Sequence, residues 1–346
     1  MKPEDQLLFA CTRQDFDNEH QQITLELSQR YRLDWDQVFA KAEQHGVAGL
    51  IYVNLCQRSD HDLGIPSATV ERYRMHALRN TVRKEQHVQR LHQALDYLAG
   101  RSIQVMLIKG IALDMLVYEH SVYSSLNDID LVLNIRREVL SVTALDELMH
   151  RLHGGLEYDF YEHHDVTING ALPVDFQQIW RDASPMEYGG RQVWLMCPED
   201  MFISLCINSC RKRFFRLKSL LDIAETTRKM PTMQWEKLLD KVRSYDCANI
   251  VYTALLITSR TLGCNLPEGF TEALPINPMR NALIDGLVNY ALRYGSLPAA
   301  PISGKMFFGK QVHISLMLPY AAYRPYQVWR RLVEEVRFKP RASEQA

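Results

Sequence analysis

The sequence has little of what would assign it to a special class. Its formal net charge is −1 over 346 residues, so no surplus of one sign marks it for nucleic acid or for an anionic membrane. Attraction for phosphate has to come from a local site. The seven cysteines are odd in number and irregularly spaced, which argues against a disulfide framework and fits a reducing cytoplasm. Cys206 and Cys210 stand four apart on an expected helix, but no second Cys/His pair lies at ligand spacing, and they are read as small buried apolar side chains. No apolar run reaches the length of a bilayer span. The opening M-K-P-E-D-Q-L-L-F-A lacks the apolar core and cleavage site of a secretion signal. A cytoplasmic protein with no membrane partner is expected. Internal repeats and low-complexity tracts are missing too. What remains, 47% hydrophobic and 23% charged residues, is the composition of a globular chain long enough for two domains or for one large domain with additions.

The chemistry-bearing stretch runs from Met106 to Leu133. A short apolar strand, Val105 to Ile108, ends at Lys109-Gly110, and a helix follows from Ile111 to Tyr118. Leu126 to Leu133 reads as a second strand bearing Asp128 and Asp130. Residues i and i+2 of a strand share a face, so the two carboxylates project side by side while Ile129 points into a core. Adjacent anions repel and shift each other's titration unless a cation lies between them. A divalent metal with oxygen ligands, Mg²⁺ where phosphate is involved, answers that need. Lys109-Gly110 lies at a strand-to-helix turn, where backbone N–H groups and the helix dipole favour phosphate.

The surrounding chain divides into three regions: a helical segment 1–100, an α/β core 101–196 and a helical segment 197–346. In the first, Asp34 and Gln37 form a capping box, a helix is expected from Val47 to Cys56, and a long one from Ala68 to Leu98. On that long helix Leu78, Val82, Val88, Leu91, Leu95 and Leu98 form one apolar stripe. Most of its many arginines, Arg79 and Arg83 among them, are assigned to a solvated face in preference to a phosphate groove. In the core, a helix is expected over 137–152, with strands at Tyr158–Tyr161 and His164–Ile168. Asn169-Gly170 signals a type I′ hairpin turn. A returning edge strand, Ala171 to Ile179, carries Asp175, with Pro173 confining it to the sheet margin. His163 and His164 are read either as hairpin residues or as proton shuttles. The third region holds helices opened by Pro198-Glu199-Asp200, then over 214–227, 233–245, 248–262, 278–294 and 324–337. Arg211, Lys212 and Arg213 are either a solvated helix end or an arm reaching a triphosphate, and Asp222 is paired with Lys218 one turn earlier.

Two carboxylates on one strand, a third on a later strand and a glycine turn suit nucleotidyl transfer assisted by two Mg²⁺ ions. The ordered set Leu107-Ile108-Lys109-Gly110, Asn127-Asp128-Ile129-Asp130-Leu131-Val132 and Pro173-Val174-Asp175-Phe176-Gln177 resembles the DNA polymerase beta superfamily of nucleotidyltransferases. Within it, the chain is most similar to the bacterial stand-alone branch. Ala42 to Leu50 and Leu217 to Ala224 carry the resemblance outward, to about residues 35–227. It implies an α+β fold with a small mixed or antiparallel sheet between helical regions. It also implies metal binding by Asp128, Asp130 and Asp175, and nucleotide contacts from Lys109, Gly110, Ser124, Ser125 and Lys212. An NTP is the implied donor. The acceptor, a hydroxyl or phosphate on a small molecule, peptide or protein, is open, with nucleic acid disfavoured by the low net charge. Three positions depart from the branch. Ile111 and Ala112 follow the glycine, Ser124 stands where an arginine is usual, and Gln177 where a histidine is frequent. Loss of the arginine removes a charge-assisted phosphate contact, which keeps a non-catalytic nucleotide-binding or scaffold protein as the alternative.

Overall fold

The first helices of the chain begin at local start signals. In α1 (Pro3–Cys11) proline and two acids occupy the first turn. The Asp17 side chain accepts from His20 N ahead of α2 (Asn18–Arg30). Asp34 accepts from Gln37 N ahead of α3 (Trp35–Gln44), the first half of the expected capping box; Asp34 N donates instead to Glu4 Oε1. A short α4 (Ala48–Tyr52) runs into a π-helical turn, Val53–Arg58. Then comes α5 (Ser67–Ala99), about 50 Å long at 1.5 Å per residue. The computed structural model describes residues 1–294 other than 60–61, 124–125, 153–154, 164–165, 168–171, 213 and 215. The expected helix 324–337, the Asn169-Gly170 turn and most of the strand expected at His164–Ile168 lie outside the described residues.

The apolar stripe of α5 holds only in part. Leu91, Leu95 and Leu98 are buried, but Leu78 is 51% exposed and Val82 is exposed as well. The first half of the helix instead turns Tyr73 and Ala77 inward, with Tyr73 edge-on to Phe39 of α3. At 3.6 residues per turn Tyr73, Ala77, His87, Leu91, Ala94, Leu95 and Leu98 fall on one face, which packs on α3, α4 and the sheet, while Leu78 and Val82 lie on the opposite side. Lys41 Nζ lies 2.6 Å from Asp5 Oδ1 with both side chains almost wholly buried.

The sheet is built from β1 (Val105–Ile108), β2 (Ile129–Leu133), β3 (Leu156–Phe160), β4 (Ser184–Tyr188) and β5 (Arg191–Leu195), in the order β3-β2-β1-β5-β4. It is mixed: β1 runs antiparallel to β2 and parallel to β5, while β2 runs parallel to β3. All four β1 residues are buried, as a central strand covered on both faces requires. Between the strands lie α6 (Lys109–Leu116), α7 (Val142–Arg151) and α8 (Phe176–Asp182). The β4–β5 hairpin turns through Gly189 and Gly190, both at positive φ, as a type I′ turn needs.

The returning strand expected over Ala171–Ile179 is not formed: Phe176 onward is helix. Asp175 is the N-cap of this helix, its carboxylate accepting from Gln178 N at 3.1 Å. Phe176 and Ile179, three apart, bury one helical face, and Trp180 Nε1 donates to the Tyr161 carbonyl at 3.1 Å. Over so short a window the alternation of Val174 and Phe176 suits a strand as well as one turn of helix; the cap decides.

The chain closes with α9 (Pro198–Arg211), α10 (Leu217–Lys229), α11 (Trp235–Ser244), α12 (Ala248–Thr261) and α13 (Pro278–Tyr294). Residues 199–210 of α9 are buried on every side, which makes it the axis on which α10, α11, α12 and α6 pack. Cys206 and Cys210 are buried free thiols within it, as read from the sequence. Lys218 pairs with Asp222, also as expected, and Tyr118 donates to the same carboxylate at 2.5 Å. One apolar cluster runs from Leu7 to Val288 through all three regions of the chain.

Gly155 pins the start of β2. Its carbonyl accepts from Ile129 N at 3.0 Å, its φ is +93°, and an added Cβ would lie 2.3 Å from the His87 ring. Gly155→Ala is therefore strained in the backbone and blocked by a buried ring. A loss of about 2–4 kcal/mol is expected, from the sum of a positive-φ penalty and overpacking, read as a lower urea midpoint at unchanged slope.

Candidate functional site

The register of β1 on β2 sets Ile108 opposite Asp130, so the residue after β1 arrives beside that carboxylate. Lys109 has φ +54°, a conformation rarely adopted by a non-glycine residue and concentrated at functional sites. Its Nζ lies 2.6 Å from Asp130 Oδ1, with both side chains 13% exposed. Lys109, expected at phosphate, thus holds the carboxylate. At Gly110 the requirement is steric, since an added Cβ would stand 2.7 Å from Leu126 Cδ2, on the segment leading into β2.

Asp128 is exposed and immediately precedes β2, two residues from Asp130. Burial pushes the Asp130 carboxyl pKa above the usual carboxylate value. The negative charge of Asp128 pushes the same way, and Lys109 and His163 oppose both. His163 is buried, with Nδ1 2.5 Å from Asp159 Oδ2 on the strand beside β2. The Asp159 carboxylate orients this imidazole close enough to Asp130 for its charge to be felt there. The exposed-hairpin alternative for His163 does not hold. His87, buried on α5, adjoins Asp128; burial lowers its imidazole pKa, Arg90 and Arg83 add to the shift, and Asp128 opposes it.

Lys212 follows α9, and its ammonium feels the charges of Lys109, Asp128 and Asp130. Its side chain is open to solvent on one side, yet the protein around its ammonium lowers its pKa. Lys109 and Arg216 push it further down, and Asp130 and Asp128 pull it back. The site therefore joins the end of β1, the start of β2 and the end of α9. Ser124 and Ser125 lie outside the described residues.

Asp175 stands apart from this group. Its carboxylate is half exposed, caps α8, and is 4.0 Å from Arg181; among the described residues no contact joins it to Asp128 or Asp130. A different carboxylate occupies the neighbouring strand. Glu157 of β3 is in register with Asp130, and aligned residues of parallel strands, about 4.8 Å apart, point to one face. The signal was present in L-E-Y-D-F, where Glu157 and Asp159 alternate as Asp128 and Asp130 do.

A second cluster, Asp182, Cys197 and Asp200, brings three ligand atoms within 4.8 Å of one another. It already has its cation: Lys241 Nζ is 2.9 Å from both Asp182 and Asp200. Tyr245 donates to Asp200 at 3.1 Å. Burial, reinforced by Asp200, pushes the Cys197 thiol up to about 12, so Cys197 is a protonated donor to Asp200 rather than a thiolate ligand. This is a buried ion-pair knot that ties α8, α9 and α11 together.

Among the described residues no helix is long and apolar enough to cross a membrane. The donor set at Asp128 and Asp130 consists of hard oxygens backed by cationic and imidazole groups, the chemistry that suits Mg²⁺. Comparison with curated proteins gave no match, and neither did comparison with solved structures. A family model described as an uncharacterised nucleotidyltransferase matches residues 31–263, a span that takes in α3, the whole sheet, both carboxylates and Lys212. The chain belongs to this nucleotidyltransferase family.

Proposed function

We propose that the protein is a Mg²⁺-dependent nucleotidyltransferase that moves a nucleoside monophosphate from an NTP to a hydroxyl or phosphate acceptor. The observation that supports this best is the grouping of Asp128 and Asp130 with Lys109, Lys212 and an Asp159-oriented His163. Asp128 and Asp130 would hold the metal, with Glu157 the carboxylate best placed to join them. Asp175, as a helix cap, lacks that support. Bound Mg²⁺ supplies charge stabilisation for in-line displacement at phosphorus. The chain's own part is positioning. Lys109 steadies Asp130, Lys212 presents an ammonium for phosphoryl oxygens, and His163 is held ready to accept a proton from the acceptor. Seven free cysteines fit a reducing cytoplasm as the place of action.

The Lys109–Asp130 pair also favours a second reading. A lysine that already neutralises the carboxylate suits a nucleotide-binding scaffold without turnover. Incubation with each labelled NTP, Mg²⁺ and a cell lysate, beside the Asp128→Ala/Asp130→Ala double variant, separates the two. Transfer of label by the unmodified protein alone is expected. Calorimetric binding of NTP without transfer establishes the scaffold, and binding of neither Mg²⁺ nor NTP ends the enzyme reading.

A further inference from the structure

The arginines of α5 do not all face open solvent. His76, Arg79, Asn80 and Arg83 repeat at spacings of three and four, which places them on one helical face. That face lines a cleft of ≈ 210 Å³ whose other wall includes Asn127 and Arg216. Both wall residues belong to the candidate site. Asn127 immediately precedes Asp128, and the charge of Arg216 acts on Lys212. Arg83 Nη1 donates to Asn127 Oδ1 at 3.1 Å, so the cleft and the carboxylate strand are in direct contact.

The charge of the cleft is one-sided. Among the described residues that line it, Glu43 is the only carboxylate, and His76 Nδ1 lies 3.2 Å from Glu43 Oε1. Arg79 donates from Nε to the Met75 carbonyl, and Arg83 donates to an amide. Among the described residues none of Arg79, Arg83 and Arg216 has a carboxylate partner. Three guanidinium groups around one concavity are an anion site in waiting, since guanidinium forks match phosphate oxygens in geometry as well as charge. At ≈ 210 Å³ the cleft is smaller than pockets that enclose a whole ligand, roughly 300–1,000 Å³. It suits a headgroup whose remainder extends elsewhere.

We infer that this cleft binds a phosphate group of the acceptor and thereby presents the acceptor to the carboxylates at Asp128 and Asp130. The identification of the ligand as acceptor rests on the nucleotidyltransferase reading; the existence of the anion site does not. Lys212, close enough to feel the charges of Asp128 and Asp130, is the cation left for the donor's triphosphate while Lys109 holds Asp130, and the α5 arginines add a separate arm on the Asn127 side.

The test uses the full chain and two probes, inorganic phosphate without metal and each NTP with Mg²⁺, measured by calorimetry. Arg79→Gln/Arg83→Gln keeps good helix formers at exposed positions, so the fold is retained. This variant is expected to bind inorganic phosphate at least about tenfold more weakly, the loss of one or two charge-assisted contacts, and to bind Mg²⁺–NTP as the unmodified protein does. Asp128→Ala/Asp130→Ala is expected to show the converse. Unchanged phosphate binding by the arginine variant overturns the site. Parallel loss of NTP binding, or displacement of NTP by phosphate, overturns the acceptor assignment and makes the cleft the triphosphate site. If the unmodified protein binds phosphate in the cleft but no Mg²⁺–NTP, the anion site stands and the nucleotidyltransferase reading falls.

Discussion

Asp130→Asn is expected to abolish the proposed nucleotidyl transfer, by at least about a thousandfold, while leaving the fold intact. The size follows from several kcal/mol of charge stabilisation that Asp130, as the proposed metal ligand, would support and an amide would not. The intact fold follows from where Asp130 sits. Burial and the neighbouring Asp128 both work against its charged form, so an isosteric neutral side chain relieves a cost as it loses the pairing with Lys109. Replacing one member of a largely buried pair is usually damaging. Here the remaining Lys109 keeps partial access to water, and a net change within about 1 kcal/mol is expected. Measured together, label transfer and the urea midpoint separate a chemical defect from a structural one. A variant that keeps more than a tenth of the transfer would remove Asp130 from the reaction, and one that unfolds would make it a structural residue.

The largest stability effect is expected far from the site. Asp5→Ala leaves Lys41, 2% exposed, without its carboxylate. A buried unpaired ammonium costs about 3–5 kcal/mol, a large part of the total for a domain. The loss should appear as a lower denaturant midpoint with an unchanged slope. Asp5→Ala/Lys41→Met removes the stranded charge and should recover most of it, because a hydrophobic replacement for a buried pair is often close to neutral. Failure of the double variant to recover would mean that α1 and α3 depend on the pair for their packing and not only for charge balance.

Much of this was legible in the sequence because the signals are local. Val105–Ile108 is the central strand that its apolar run implied, Asp34 caps α3, and Pro278–Tyr294 is the helix that its spacing implied. Asp128 and Asp130 lie at the head of β2 as alternation required. The errors arose where two local rules compete or where a partner is distant in sequence. At Asp175 a helix cap outcompeted a strand pattern. Gly189-Gly190 joins two short strands, one mostly exposed, whose weak alternation hid a turn that its glycines did signal. The role of Lys109 depends on the pairing of β1 with β2, and that of Glu157 on β3 lying beside β2. No periodicity within a segment carries such information. The α5 arginines read as a solvated face for the same reason: Arg216, the far wall of their cleft, lies on a segment that the helix alone could not foresee.

The loop after α1 carries a consequence for the order of assembly. Gln14 donates to the fully buried Glu225 of α10 at 3.0 Å and to the Val117 carbonyl at 3.1 Å. Arg13 donates to the Leu262 carbonyl at 3.0 Å, and Arg228, paired with Glu225, holds the carbonyls of Leu262 and Gly263. Residues at opposite ends of the chain therefore satisfy each other's buried polar groups. On a ribosome the N-terminal helices can collapse early, but their polar seam stays open until residue 263 has emerged. Contacts of such long sequence separation slow folding, and an incomplete chain exposes apolar surface in the meantime.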